Sequence, residues 1–134
     1  MLRVLRAFEE HGLEYVLIGA TAMGFHGLVR ATEDVDLFVR ATPHNVERLK
    51  NAFRAAYADD PNVDEIGDLY FDVMTRLGEA ASFETVEAEV KQVEGIQVRV
   101  ATPAALYRLK KGTIRPLDRR DAEALRRRFD LSEE

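Results

Sequence analysis

YVLIGATAMGFHGLVRATEDVDLFV, residues 15–39, decides the fold. Its opening apolar run, Tyr15-Val16-Leu17-Ile18, breaks at Gly19 and reads as a short buried strand. A helix over Ala20–Gly27 is predicted to follow at once, with Ala22, Met23 and Phe25 as core candidates. Arg30-Ala31-Thr32-Glu33 forms a connection, and Asp34–Val39 is a second strand in which carboxylates alternate with apolar residues. Successive strand side chains point to opposite faces, so Asp34 and Asp36 share one face while Val35 and Leu37 share the other. Two carboxylates roughly 6–7 Å apart along one face repel each other unless a positive group sits between them, and a divalent cation is the usual answer.

Outward from this stretch the pattern stays regular. Upstream, Leu2, Val4, Leu5 and Phe8 recur at helical spacing over residues 2–11, and His11-Gly12 supplies a C-terminal stop. Downstream, Thr42-Pro43 starts a helix, Thr42 as cap and Pro43 in the first turn. That helix runs to about Tyr57, with Val46, Leu49, Phe53 and Ala56 on one face. Asp59-Asp60-Pro61-Asn62 is a turn, and Leu69–Thr75 a third strand with Asp72 as its carboxylate, ended by Gly78. Residues 83–93 suit helix or strand, the second half favouring strand. After the Glu94-Gly95 turn, Ile96, Val98 and Val100 alternate with Gln97 and Arg99, which predicts a strand over Ile96–Ala101. Thr102-Pro103 opens a helix through about Lys111, and a final helix begins near Pro116 and runs to Phe129. Helices interspersed with short strands over one sheet give an α/β or α+β fold, here a single domain of 134 residues.

Composition narrows the chemistry. Without cysteine there are neither disulfides nor thiolate ligands. No apolar run approaches the ~18–20 residues of a membrane span. Glu9 and Glu10 interrupt the N-terminus where a signal peptide needs its apolar segment, so a cytoplasmic protein away from membranes is expected. The net charge of −5 is uneven: Ala105–Arg128 holds nine Lys/Arg against Asp118, Asp121 and Glu123, a balance of +6 that leaves −11 elsewhere. Such a chain is no general nucleic-acid binder, although its basic tail can meet phosphates. Arg126-Arg127-Arg128 also reads as a solvated helix face.

Taken together, these elements form a constellation. A small-residue turn at Gly19-Ala20 lets backbone N–H groups approach an anion where a helix begins. Carboxylates beside it suit Mg²⁺ shared with phosphate oxygens. Asp72 on a third strand is placed to complete a metal site or to take a proton from an attacking hydroxyl. That is equipment for in-line displacement at a phosphate. His26, a lone histidine on a helix, is read as bonding to backbone and fixing a turn. Asp121 is read as a structural partner for Arg or Lys.

The joint pattern resembles the nucleotidyltransferase superfamily typified by DNA polymerase β: apolar-Gly-small, thirteen residues, Asp-apolar-Asp, then a later apolar-Asp-apolar. More narrowly, Gly19, Ala20, Ala22, His26, Gly27, Arg30, Thr32, Asp34, Asp36 and Leu37 are similar to the small bacterial nucleotidyltransferases related to the abortive-infection, toxin–antitoxin group. The C-terminal VATPAALYRLKKGTIRPLDRRDAEALRRRF resembles that group's tail, with Lys110, Arg115, Asp118 and Asp121 in its places. The resemblance implies a nucleotidyltransferase fold, a short mixed β-sheet flanked by helices. It implies Mg²⁺ on Asp34 and Asp36, with Asp72 as the third acidic residue and activator of the acceptor. Gly19, Ala20 and Lys110 then meet the nucleotide, Arg30 and Thr32 either touch a phosphate too or orient the connection before Asp34, and Arg115 either binds phosphate or pairs with Asp118. Neighbouring helix residues lie about 100° apart, so only one of Lys110 and Lys111 faces such a site, and the family register selects Lys110. The implied reaction moves an NMP from an NTP to a hydroxyl of RNA, such as a tRNA end, or of a partner protein. A cognate toxin or antitoxin is the implied partner. This chain has Ala20 where the family commonly has Gly or Ser, and a short 64–69 segment. An alternative reading of the same residues is an inactive nucleotidyltransferase-fold binding module, or an antitoxin acting by protein contact.

Overall fold

A computed structural model describes residues 2–28, 35–58, 71–75, 82–111 and 116–131 of the chain. Helix α1 (Leu2–Glu10) leads into strand β1 (Tyr15–Ile18), helix α2 (Gly19–Phe25) and strand β2 (Val35–Val39). Helix α3 (Pro43–Ala56), strands β3 (Phe71–Met74), β4 (Ala88–Val93) and β5 (Ile96–Ala101), and helices α4 (Pro103–Lys111) and α5 (Pro116–Phe129) follow. The predicted turn at 59–62, the short 64–69 segment and the strand stop at Gly78 lie outside the described residues. The five strands form one mixed sheet in the order β3-β2-β1-β5-β4. Strands β1 and β2 are antiparallel, as are β4 and β5; β1–β5 and β2–β3 are parallel. The β4–β5 hairpin closes at Glu94 (φ 49°) and Gly95 (φ 81°), the consecutive positive φ values that match the right-handed twist of paired strands.

The alternation in β2 divides the sheet into two faces. Val35, Leu37 and Val39 register with Phe71 of β3 and with Leu17 and Tyr15 of β1. This face meets α1 and α3 through an aromatic cluster: Phe8 lies 5.2 Å from Tyr15, 5.8 Å from Phe53 and 6.4 Å from Phe71. Val4, Leu5 and Phe8 are fully buried beneath it, as the predicted α1 periodicity requires. Tyr15 stays polar at its tip, where its hydroxyl accepts the Arg99 N–H at 3.3 Å. Burial nonetheless pushes the Tyr15 phenol above its usual range. The opposite face carries Asp36 and Phe38, registered with Ile18 and Val16.

Helix α3 begins as its sequence dictates: Thr42 accepts the Asn45 N–H at 3.2 Å, and Pro43 takes the first turn. Its buried stripe differs from the predicted one. Leu49, Phe53 and Ala56 are buried, but Asn45 and Ala52 complete the stripe, and Val46 is only half-buried. Asn45 is fully enclosed because it serves as a clamp. Its Oδ1 accepts the Glu14 N–H at 2.8 Å, and its Nδ2 donates to Glu14 O and Arg40 O, both at 2.9 Å. One side chain thus joins the start of β1 to the end of β2. Arg40 continues the tie, pairing with Glu14 at 3.1 Å and with Glu84, and lying 4.7 Å over the Phe83 ring. The first half of 83–93 is accordingly neither helix nor strand but a turn, in which Ser82 and Thr85 bond each other. Its second half is β4, and β5, α4 and α5 occupy their predicted spans.

Candidate active site

The turn from β1 into α2 is built around Gly19. Ile18 is extended (φ −128°, ψ −175°), and Gly19 adopts φ 67°, a left-handed conformation that costs other residues about 1–2 kcal/mol. A second constraint is steric. A Cβ on Gly19 would lie 2.9 Å from Asp36 Cγ and closer still to Asp36 Oδ2. The Asp36 carboxylate therefore closes directly on the backbone of the turn, in the space that only glycine leaves open. No side chain among the described residues caps the start of α2. Ala20 is buried in the same turn. Thr21 follows, its hydroxyl buried and without a hydrogen-bond partner among the described residues. Nothing in the sequence singled out Thr21.

Asp72 of β3 is the register partner of Asp36. Like charges at neighbouring ladder positions repel in general, and a divalent cation is one group that can bridge a pair of carboxylates. Hard oxygen donors of this kind suit Mg²⁺ or Ca²⁺ rather than a soft metal. Among the described residues no three His, Cys, Asp or Glu side chains gather into a complete metal site. Asp34, Arg30, Thr32 and Arg115 lie outside the described residues. Lys110 and Lys111 occupy the last turn of α4. The structure thus brings together Gly19, Ala20, Asp36 and the Asp72 position.

Behind the turn sits His26, which is buried. Its Nε2 lies 2.7 Å from the Ala101 carbonyl, which can only accept, so Nε2 carries the proton. Its Nδ1 lies 3.6 Å from Glu89, itself 3.3 Å from Lys91, and its ring meets the edge of Phe129 at 5.8 Å. The expectation of a backbone bond holds. The partner, however, is the end of β5 rather than a local turn.

On α5, Asp121 is buried, whereas Arg120, Arg127 and Arg128 are exposed. Glu123 holds Arg126 at 2.7 Å and Arg127 at 2.8 Å, and these hydrogen bonds lower its carboxyl to about 2. Part of the basic tail is therefore internally neutralised, in keeping with the solvated-face reading. No described helix is long and apolar enough to cross a membrane.

One comparison with known proteins matches. The family model described as the nucleotidyl transferase AbiEii toxin of a Type IV toxin–antitoxin system covers residues 3–121. No curated protein and no solved structure matches the chain.

Proposed function

The chain belongs to the AbiEii family of nucleotidyl transferase toxins of Type IV toxin–antitoxin systems, and on that premise we propose that it is an Mg²⁺-dependent enzyme that moves an NMP from an NTP to an acceptor hydroxyl. The observation that carries this reading is the Asp36 carboxylate lodged against Gly19 at the start of α2, with Asp72 as its register partner. Asp34, Asp36 and Asp72 hold the metal in this reading. When bound, Mg²⁺ supplies positive charge for the phosphate oxygens.

The protein's own groups do the rest. Backbone N–H groups of Gly19 and Ala20 receive the triphosphate, and the absence of a Cβ at Gly19 makes room for the Asp36 carboxylate beside them. Arg30, Thr32, Lys110 and Arg115 neutralise and orient the phosphates. Asp72 accepts the proton of the acceptor hydroxyl as its oxygen bonds to the α-phosphorus. The bond from that phosphorus to the bridging oxygen breaks, and pyrophosphate leaves. The acceptor is a hydroxyl of RNA or of a partner protein, and the cognate antitoxin is the expected protein partner. The acidic balance of the chain favours a narrow contact over a broad nucleic-acid footprint, since each phosphate contact calls for a cation.

Calorimetry with each of the four NTPs, with and without Mg²⁺, on wild type and Asp36→Ala tests the reading. Binding that requires Mg²⁺ and falls at least about a hundredfold in the variant is expected, because a ligand of both metal and turn is lost. A folded wild-type protein that binds no NTP would overturn it.

A further inference from the structure

His26 occupies a place that the backbone ladder leaves vacant. In the antiparallel β4–β5 pair, hydrogen-bonded and non-hydrogen-bonded residue pairs alternate. The Thr102 N–H donates to Glu87 O at 3.0 Å, so Ala101, registered with Ala88, belongs to a non-hydrogen-bonded pair. Its carbonyl consequently points away from β4 and toward β1. There the parallel register, Leu17 with Val100, would offer the next ladder donor from residue 19. But the chain has left the sheet at Gly19, turning into α2 to build the phosphate turn. The Ala101 carbonyl is fully enclosed at this point and needs a donor. His26, from the far end of the same helix, returns to supply it at 2.7 Å.

Several groups hold the imidazole in this pose. Its edge-to-face contact with Phe129 of α5 (79° between planes) fixes the ring, and Glu89, tethered by Lys91, lies beside Nδ1. The bond spans 75 residues of sequence and joins two elements that carry opposite halves of the site. Helix α2 begins at the Gly19–Asp36 turn. Helix α4 begins at Pro103, two residues beyond Ala101, with its first turn capped by the Thr102 hydroxyl at 3.1 Å from the Ala105 N–H, and it carries Lys110 in its last turn.

We infer that His26 is a positioning residue for nucleotide binding: its Nε2–H replaces the ladder donor that β1 gives up, and so sets the helix carrying Lys110 against the Gly19–Asp36 turn. The inference rests on the function proposed above. It touches no reacting atom; it acts through Lys110.

The test is a double-variant cycle read by calorimetry with the Mg²⁺ complex of the tightest-binding NTP, on wild type, His26→Leu, His26→Gln, Lys110→Ala and His26→Leu/Lys110→Ala. His26→Leu is expected to weaken binding about tenfold, the scale of one misplaced charged contact. His26→Gln, which keeps a terminal N–H donor of similar reach, is expected to stay within about twofold of wild type. Adding His26→Leu to Lys110→Ala is expected to change nothing further, since the residue through which it acts is already gone. Should His26→Leu fail to fold, His26→Asn takes its place, its shorter amide falling short of Ala101. Equal affinity of folded His26→Leu and wild type would overturn the inference, as would a full additive loss on top of Lys110→Ala or failure of glutamine to rescue. Those outcomes leave the nucleotidyltransferase reading standing. Wild type that binds no NTP removes both.

Discussion

The two faces of the sheet are built from the same strands to opposite ends. Toward α1 and α3, β1, β2 and β3 present Tyr15, Leu17, Val35, Leu37 and Phe71, closed over by Phe8 and Phe53. Toward α2, the intervening positions of β2 carry Asp36 and Phe38, and His26 lies buried at the far end of α2. One face maximises apolar contact. The other sets the Asp36 carboxylate against the backbone of the turn into α2, beside the buried Phe38. The period of two in a strand lets an apolar face and a carboxylate-bearing face share five residues, Val35 to Val39, without sharing a side chain.

Breaking the apolar face should have the largest effect. Phe8 is fully buried and touches three other rings, so Phe8→Ala is expected to cost about 3–5 kcal/mol in urea unfolding. Nucleotide affinity of the folded fraction should remain that of wild type. A strong affinity loss in folded Phe8→Ala would show that the two faces are not separable.

Asn45 comes next, because it stands on the apolar side yet works by hydrogen bonds. Asn45→Ala leaves the Glu14 N–H and the Arg40 carbonyl without this partner and leaves the Glu14 carbonyl only the Arg40 N–H, an expected loss of about 2–3 kcal/mol by the same measurement. A loss near zero would mean that water replaces the clamp.

Sequence patterns made some of this plain and hid the rest. The strand Ile96–Ala101 and the helices Pro103–Lys111 and Pro116–Phe129 were legible in outline, because a Glu-Gly turn, Thr-Pro and a second proline mark their starts. Asn45 was not. Helical periodicity scores apolar residues, so it selected Val46, while the buried position went to a polar residue whose partners lie on two loops. The site divides the same way. Gly19 and Asp36 stand out by local pattern, and their mutual contact confirms that a glycine was needed there. The tie from His26 to Ala101 depends on which strand leaves the sheet beside which, a matter of sheet order that no local spacing encodes.

On the site face the expected effect on stability is small. Asp36→Asn keeps the shape of the side chain lodged against Gly19 and removes only its charge. The variant should therefore unfold within about 0.5 kcal/mol of wild type, while binding no Mg²⁺–NTP. A clear loss of stability would instead make Asp36 a structural residue and erase the contrast between the faces.

The smallest expected effect is electrostatic and lies on α5, where it tests whether basic residues there serve the fold or a ligand. Hydrogen bonds from Arg126 and Arg127 lower Glu123 from 4.5 to about 2. A carboxylate depressed in the folded state adds stability that is present above its ordinary value and is lost as pH falls toward the lowered one. Wild type should accordingly melt slightly above Glu123→Gln at neutral pH, and the gap should close between about pH 4.5 and 2. Because the trio is solvated, the gap should also shrink in molar salt. If the two melting curves run parallel from neutral to acid pH, the two arginines are not held by Glu123. Arg127 would then join exposed Arg120 and Arg128 as a cation open to an acceptor's phosphates, and the basic helix would belong with the site face rather than with the scaffold.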